Sequence, residues 1–416
     1  MSSFRQHPET AYIHYPHLDE DKHGATQSPI YMSAGFEHES AQGLSDVFHG
    51  REYGYVYSRI SNPSVVSFEQ HVNAIEQGRA CVATASGMAA LSVILDALCV
   101  SGDHVISSCS LFGGTYYLLN ELSQNQNITV SYVKTCDVSA YEKAINDNTK
   151  AVFCESIGNP ACDVPCLKSL AAICKQKGIP LVVDGTVSTP YLLKAKQWGV
   201  SVIWHSATKW ISGTGSVLGG LIIDTGCFDW KQCLSPSIVN LSKTFSHLAF
   251  IQRCKRLRSN KGAVLSPFHA YLLEQGLAHL PLRMQKHCEN ALALAQFLDS
   301  HDQVSKVFYS GLKTHKDHHI AAQQFLKGSF GALLSFRLAS KEAAFNVINR
   351  LKLAKQLTNL GDAKTLVIHP SSTIYRELND TEQEQAGVFK DLIRVSVGLE
   401  HIDDIILDFK QALEGL

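Results

Sequence analysis

The stretch IPLVVDGTVSTPYLLKAKQWGVSVIWHSATKW, Ile179 to Trp210, decides how this chain folds. It holds two apolar runs, IPLVVDG and VSVIWHS, and each ends in polar residues. Runs of this kind read as strands buried on both faces, as in a parallel sheet. Working outward, RACVATAS, GDHVISSC, ITVSYVK and KAVFCESI repeat the pattern from about residue 62 onward. Helix-like stretches lie between several of them. In GMAALSVILDAL, Met88, Leu91, Leu95 and Leu98 recur at helical spacing. The alternation predicts an α/β fold, a mostly parallel sheet with helices on both faces.

The pattern changes on either side. After about residue 261 a long helical section, PFHAYLLEQGLAHLPLRMQKHCENALALAQFLDS, precedes shorter strands such as GALLSFRL and a closing helix after HIDDI. This predicts a smaller α+β domain over 261–416, beside a large domain over 61–260. Residues 1–60 have little periodicity and read as an arm lying on a neighbouring subunit.

The bulk numbers limit the partners. With 37 basic and 38 acidic residues among 416, the formal net charge is −1. Such a chain has no global field to gather nucleic acid or coat a membrane. No run reaches the roughly 20 apolar residues of a membrane span. Twelve cysteines lie scattered in apolar context rather than spaced as a disulfide framework, which points to a reducing cytoplasm. The expected partners are small molecules and copies of the chain itself.

In an open parallel sheet, ligands sit beyond the carboxyl ends of the strands. Four such places are polar. Gly87 and Met88, in TASGMAA, open a helix whose amides can hold an anion, although small residues there also serve packing. Asp184 closes an apolar strand, where a buried carboxylate needs a partner; a pyridinium nitrogen and a capped turn are equal candidates. Asn159, in CESIGNPAC, can donate to a ligand oxygen or serve as a turn residue before Pro160. Ser206, Thr208 and Lys209 follow the last strand, two hydroxyls suited to a phosphate and an amine suited to an aldehyde. Pyridoxal 5'-phosphate meets all four demands together. HKDHH (His315, His318, His319) reads as a solvated loop rather than a metal site, so no metal is expected.

The order and wording of YSRISNPS, ASGMAA, SLFGGTY, ESIGNP, VVDGTVSTPYL, HSATKWISG, GDAKTLVIHPSS and LIRVSVGLEHIDD resemble the Cys/Met-metabolism family of pyridoxal-phosphate enzymes. The resemblance runs from about residue 10 to the C-terminus. It implies the aspartate aminotransferase-like fold, fold type I. It also implies that Lys209 bonds the cofactor aldehyde, Asp184 partners the ring nitrogen and Asn159 meets the ring hydroxyl oxygen. Gly87, Met88, Ser206 and Thr208 match phosphate ligands. Tyr57 and Arg59 match a pair that reaches the phosphate from the neighbouring subunit, which implies shared sites in a dimer of dimers. Arg394 matches the clamp on the substrate α-carboxylate, with Asn359 nearby.

Three positions depart from the pattern. Phe112 stands where many members carry a tyrosine that stacks on the cofactor; its ring can still stack, but no hydroxyl is present. Gly114 stands where methionine γ-lyases tend to carry cysteine. Gly185 replaces a common asparagine, without an evident reason in the sequence. A thiolate leaving group benefits from a nearby acid and a carboxylate does not, so Phe112 favours an O-acyl substrate. ESIGNP, GDAKTLVIHP and EQEQAG resemble O-acetylhomoserine sulfhydrylases more closely, whereas Met88 stands where many of these have glutamine. The expected reaction is γ-replacement on O-acetylhomoserine by sulfide or a thiol. The alternatives are γ-elimination from methionine or cystathionine, and cystathionine γ-synthesis.

Overall fold

The computed structural model describes residues 7–14 and 23–416. Seven strands form the large sheet: β1 (Ala80–Thr84), β2 (His104–Ser108), β3 (Thr129–Val133), β4 (Thr149–Glu155), β5 (Leu181–Asp184), β6 (Val202–Ser206) and β7 (Gly220–Asp224). Their spatial order is β1-β7-β6-β5-β4-β2-β3. Strands β2 to β6 pair in parallel, and β7 runs antiparallel to both β1 and β6. The six apolar runs of the sequence are β1 to β6. Strand β7 has the same buried composition but follows a glycine-rich loop rather than a crossover helix, so alternation did not reveal it.

Each face of this sheet is buried, as the continuous apolar runs require. On one face Val82, Phe153, Val182, Trp204 and Ile222 pack against helix Gly87–Leu98 and helix Ala249–Lys261. On the other, Val183, Ile203 and Ile223 join a cluster that continues into the C-terminal part through Leu334, Phe336 and Ile393. One apolar core therefore ties the two sheets together.

The second sheet comprises β8 (Lys306–Phe308), β9 (Leu333–Arg337), β10 (Lys355–Gln356), β11 (Leu366–Ile368) and β12 (Leu392–Ser396), in the order β10-β11-β12-β9-β8. All its pairings are antiparallel except β10 with β11. The long helical section is two helices, Pro267–Ala278 and Leu280–Asp299. Within the first 60 residues, a short turn of helix spans Pro8–Tyr12 and a helix spans Ala41–Phe48, while Met32, Phe48 and Tyr53 expose their side chains. Residues 1–6 and 15–22 of the expected arm lie outside the described residues. Among the described residues, no helix is long and apolar enough to cross a membrane.

The HKDHH segment is not a solvated loop. Asp317 is buried and accepts the Val164 amide at 3.2 Å, and His318 opens a helix, with its Nδ1 2.8 Å from Ser310 O. His315, Asp163 and Asp317 bring their ligand atoms within 4.8 Å of one another. Lys316 pairs with Asp163 at 2.9 Å and supplies the local positive charge.

Candidate active site

The carboxyl ends of β4, β5 and β6 open into a cavity of about 370 Å³. Gly87, Met88, Phe112, Asn159 and Asp184 line it, and so do Ser206, Thr208, Lys209 and Asn359. Register explains the convergence. Glu155 pairs with Asp184, and Asp184 with Trp204, so three side chains stand in a row across adjacent strands.

Helix Gly87–Leu98 begins at this edge, and the Ser86 hydroxyl caps the Ala89 amide. The amides of Gly87 and Met88 have no partner within the helix, as in any first helical turn, and both residues line the cavity. A Cβ on Gly87 would fall 2.6 Å from Ser206 Cβ, so only glycine lets helix and strand approach this closely. Thr208 is partly committed elsewhere: its hydroxyl accepts the Gly219 amide at 3.0 Å.

Asp184 accepts the Thr186 amide on Oδ1 at 2.8 Å. Burial raises its carboxyl, while the Thr186 hydrogen bonds and the Lys209 charge hold it down. Lys209 is half-buried and donates to Asn359 Oδ1 at 2.6 Å. Burial foremost, and then the Arg394 charge, lower the Lys209 amine to about 8, against the opposing pull of Asp184. An amine so placed spends an appreciable fraction of its time neutral near physiological pH.

Arg394, on β12, is 1% exposed and has no carboxylate partner among the described residues. Its guanidinium donates to Thr358 O and Asn359 O at 3.1 Å, and more weakly to Asn159 Oδ1 at 3.4 Å. Burial lowers it to about 10, and Nε finds no acceptor. Arg394 lies behind the cavity wall, and all three residues it holds are part of that wall. A buried cation without an anion is costly to fold, and an incoming carboxylate removes that cost.

A profile of the family described as Cys/Met metabolism PLP-dependent enzymes matches residues 9–414. The chain belongs to that family. Homocysteine synthase of Schizosaccharomyces pombe is 41% identical, with 98% of each chain covered. O-acetyl-L-homoserine sulfhydrylase 1 of Thermus thermophilus is 39% identical over 97% of this chain and 99% of its own. Among solved structures, a Campylobacter jejuni protein described as an O-acetylhomoserine (thiol)-lyase matches with a TM-score of 0.91 and 34% identity. The match covers 98% of this chain and 99% of that one, which carries N'-pyridoxyl-lysine-5'-monophosphate. The pyridoxal-phosphate transferase fold expected from the sequence is the fold observed, and pyridoxal phosphate is the cofactor of this family member.

The cavity fits that cofactor. Amides at a helix start, with the Ser206 hydroxyl, suit a phosphate; a buried carboxylate suits a ring nitrogen; an amine lowered to about 8 suits an aldehyde. Tyr57 and Arg59 do not reach the cavity of their own chain. Tyr57 is 45% exposed, and Arg59 donates to Ser259 O at 3.0 Å.

The structure accounts for two of the three departures. A Cβ on Gly114 would fall 2.6 Å from Phe112 Cε1, so the phenyl ring uses the space that glycine leaves. A Cβ on Gly185 would fall 2.5 Å from His205 Cε1, and His205 in turn meets Glu76 at 2.6 Å in the core. Sequence reading missed Glu155, Thr186, Trp204, Thr358 and Ile374, which also line the cavity. Glu155 was legible as the acid closing the apolar run KAVFCESI, the same signal that picked out Asp184. Ile374 comes from a loop with no periodic signal.

Proposed function

We propose that this enzyme catalyses γ-replacement on O-acetylhomoserine, exchanging acetate for sulfide or a thiol to give homocysteine or methionine. The carrying observation concerns the cavity wall. No tyrosine, histidine or cysteine among the described residues lines it, and its two acids, Glu155 and Asp184, are held by backbone amides. A leaving group here departs without a dedicated acid of this chain, which suits acetate and penalises a thiolate. The names of the two relatives support the same substrate class.

When bound, the cofactor stabilises negative charge at substrate carbons as an electron sink. The protein residues act around it. Lys209 is the residue that would bond the aldehyde when the cofactor is held, and its Nζ, once free, would move protons at the substrate's Cα and Cβ. Asn359 Oδ1, 2.6 Å from Nζ, aims that amine. Asp184 keeps the ring nitrogen protonated, and Asn159 holds the ring oxygen. Gly87, Met88, Ser206 and Thr208 grip the phosphate, and Phe112 covers the ring. Arg394 gains the substrate carboxylate in place of its backbone carbonyls, with Asn359 beside it.

The site is completed by Tyr57 and Arg59 of a neighbouring copy in a dimer of dimers, a reading supported by the exposed apolar side chains of Met32, Phe48 and Tyr53. We divide the chain into an arm (1–60), a cofactor domain (61–260) and a C-terminal domain (261–416). All twelve cysteines are unpaired, in keeping with the cytoplasm.

Product analysis tests the reaction. Purified enzyme given O-acetylhomoserine and sulfide should release homocysteine and acetate, with O-succinylhomoserine and cystathionine as poorer substrates. Ammonia and a 2-oxo acid from methionine, without homocysteine from O-acetylhomoserine, would overturn the proposal.

A further inference from the structure

Phe112 and Asn159 sit on separate loops, after β2 and after β4, yet in the roles given above both must meet one flat ring, the phenyl on its face and the amide at its hydroxyl-bearing edge. Two buried side chains tie these loops together. From below, Glu155 Oε1 accepts the Phe112 amide at 2.6 Å and Oε2 accepts the Asn159 amide at 3.0 Å. From above, the fully buried Tyr375 hydroxyl lies 2.8 Å from Leu111 O and 2.6 Å from Asn159 O. One hydroxyl proton serves two carbonyls, so the phenol holds both loops at once.

Tyr375 is itself anchored. Its amide donates to Pro370 O at 3.2 Å, and Gln383 Nε2 donates to its carbonyl at 3.0 Å. The neighbouring Ile374 carbonyl accepts from Tyr117 on helix Gly113–Gln126 at 3.2 Å.

Glu155 is a costly choice if the loops only need a hydrogen-bond acceptor. It is buried, and it stands in register beside Asp184, a second carboxylate. Like charges in one buried row oppose each other. Two amides, one from each loop, return stabilisation for that cost only while the loops keep this separation.

We propose that Glu155 and Tyr375 are positioning residues that form a bracket, fixing the Phe112 ring that covers the cofactor's face relative to the Asn159 amide that meets its edge. The bracket rests on the cofactor roles given above to Phe112 and Asn159. It also links the C-terminal segment that carries Tyr375 to the ring, so the position of that segment is read out at the cofactor.

The test uses full-length enzyme purified with cofactor and compares wild type with Tyr375→Phe, Glu155→Gln and the double variant. Tyr375→Phe removes one hydroxyl and keeps the packing, so it serves even if Glu155→Gln fails to fold. The readouts are visible absorbance per subunit, circular dichroism of the cofactor band per bound cofactor, the cofactor dissociation constant and the melting temperature. Loss of a bracket bond should weaken cofactor binding about tenfold. It should also at least halve the dichroism per bound cofactor, because the ring is no longer held at one angle. The double variant should lose less than the product of the two single losses, since both act on the same pair of loops.

A fall in melting temperature with dichroism and cofactor affinity unchanged makes the two residues merely structural and overturns the bracket. A wild-type protein without a visible cofactor band overturns the underlying site and the bracket together, and is told apart from the first failure by that band.

Discussion

The two walls of the cavity are built in different ways. On one side, β4, β5 and β6 deliver Glu155, Asp184 and Trp204 in a row fixed by parallel register. On the other, Thr358, Asn359 and Ile374 arrive on irregular segments, backed by Arg394 on β12. The strand wall is preorganised by the sheet, and its polar groups are satisfied locally, Asp184 by Thr186 and Glu155 by two amides. The polar groups of the loop wall lean on groups beside and behind it: Asn359 accepts from Lys209, which follows β6, and Arg394 donates to the carbonyls of Thr358 and Asn359. Precision therefore resides in the strand wall, and responsiveness to substrate in the loop wall.

The largest break in this contrast comes at the hinge between the walls. In the roles proposed for it, Lys209 supplies both the bond to the cofactor aldehyde and the group that moves protons, so Lys209→Ala removes the two together. Product formation should fall by about 10²–10⁴-fold or more, while far-ultraviolet circular dichroism stays that of the folded protein. An active variant overturns the assignment of Lys209.

Arg394 comes next. Arg394→Lys keeps the charge and loses the fork, so kcat/KM for the amino-acid substrate should fall by about 2–5 kcal/mol in equivalent terms, chiefly through KM. The stability prediction runs the other way. A buried guanidinium with no acid partner is a burden in the unliganded protein, so Arg394→Met should leave the melting temperature unchanged or raise it. A strongly destabilised Arg394→Met would mean that the arginine serves the fold.

The same contrast explains what could be read in advance. The strand wall announces itself, because an apolar run that ends in Asp or Ser marks both a buried strand and its chemically useful end; Asp184, Ser206 and Lys209 were found in this way. Glu155 carries the same signal, as the acid that closes the run KAVFCESI, and the reading took only Asn159 from this part of the chain. The loop wall has no period to follow. Asn359 and Arg394 came from resemblance alone, and Ile374 and Tyr375 from neither source. Gly185 shows a third kind of limit: its reason is a contact with His205, twenty residues on, which only the pairing of β5 with β6 makes visible.

That contact gives a smaller effect on the strand wall. Gly185→Ala places a Cβ against His205 Cε1 and Ile203 Cδ1 at 2.5 and 2.6 Å. Overpacking of this kind costs about 1–3 kcal/mol, so denaturant unfolding should show a lower midpoint with an unchanged slope. Unchanged stability would mean that His205 moves aside freely.

The smallest effect, and the one that most directly sharpens the contrast, is the pH dependence of cofactor capture by protein stripped of cofactor. Lys209 must be neutral to attack an aldehyde, and its amine is lowered to about 8. The neutral fraction then rises about tenfold between pH 7 and 9 and levels off above. The rate at which the visible band appears after adding pyridoxal phosphate should follow that curve. The two walls pull the midpoint in opposite directions. The Arg394 charge lowers the amine and the Asp184 charge raises it. Arg394→Met should therefore move the midpoint above 8, and Asp184→Asn should move it below. A midpoint that stays at about 8 in both variants would show that burial alone sets the amine, and that the two walls do not communicate through Lys209.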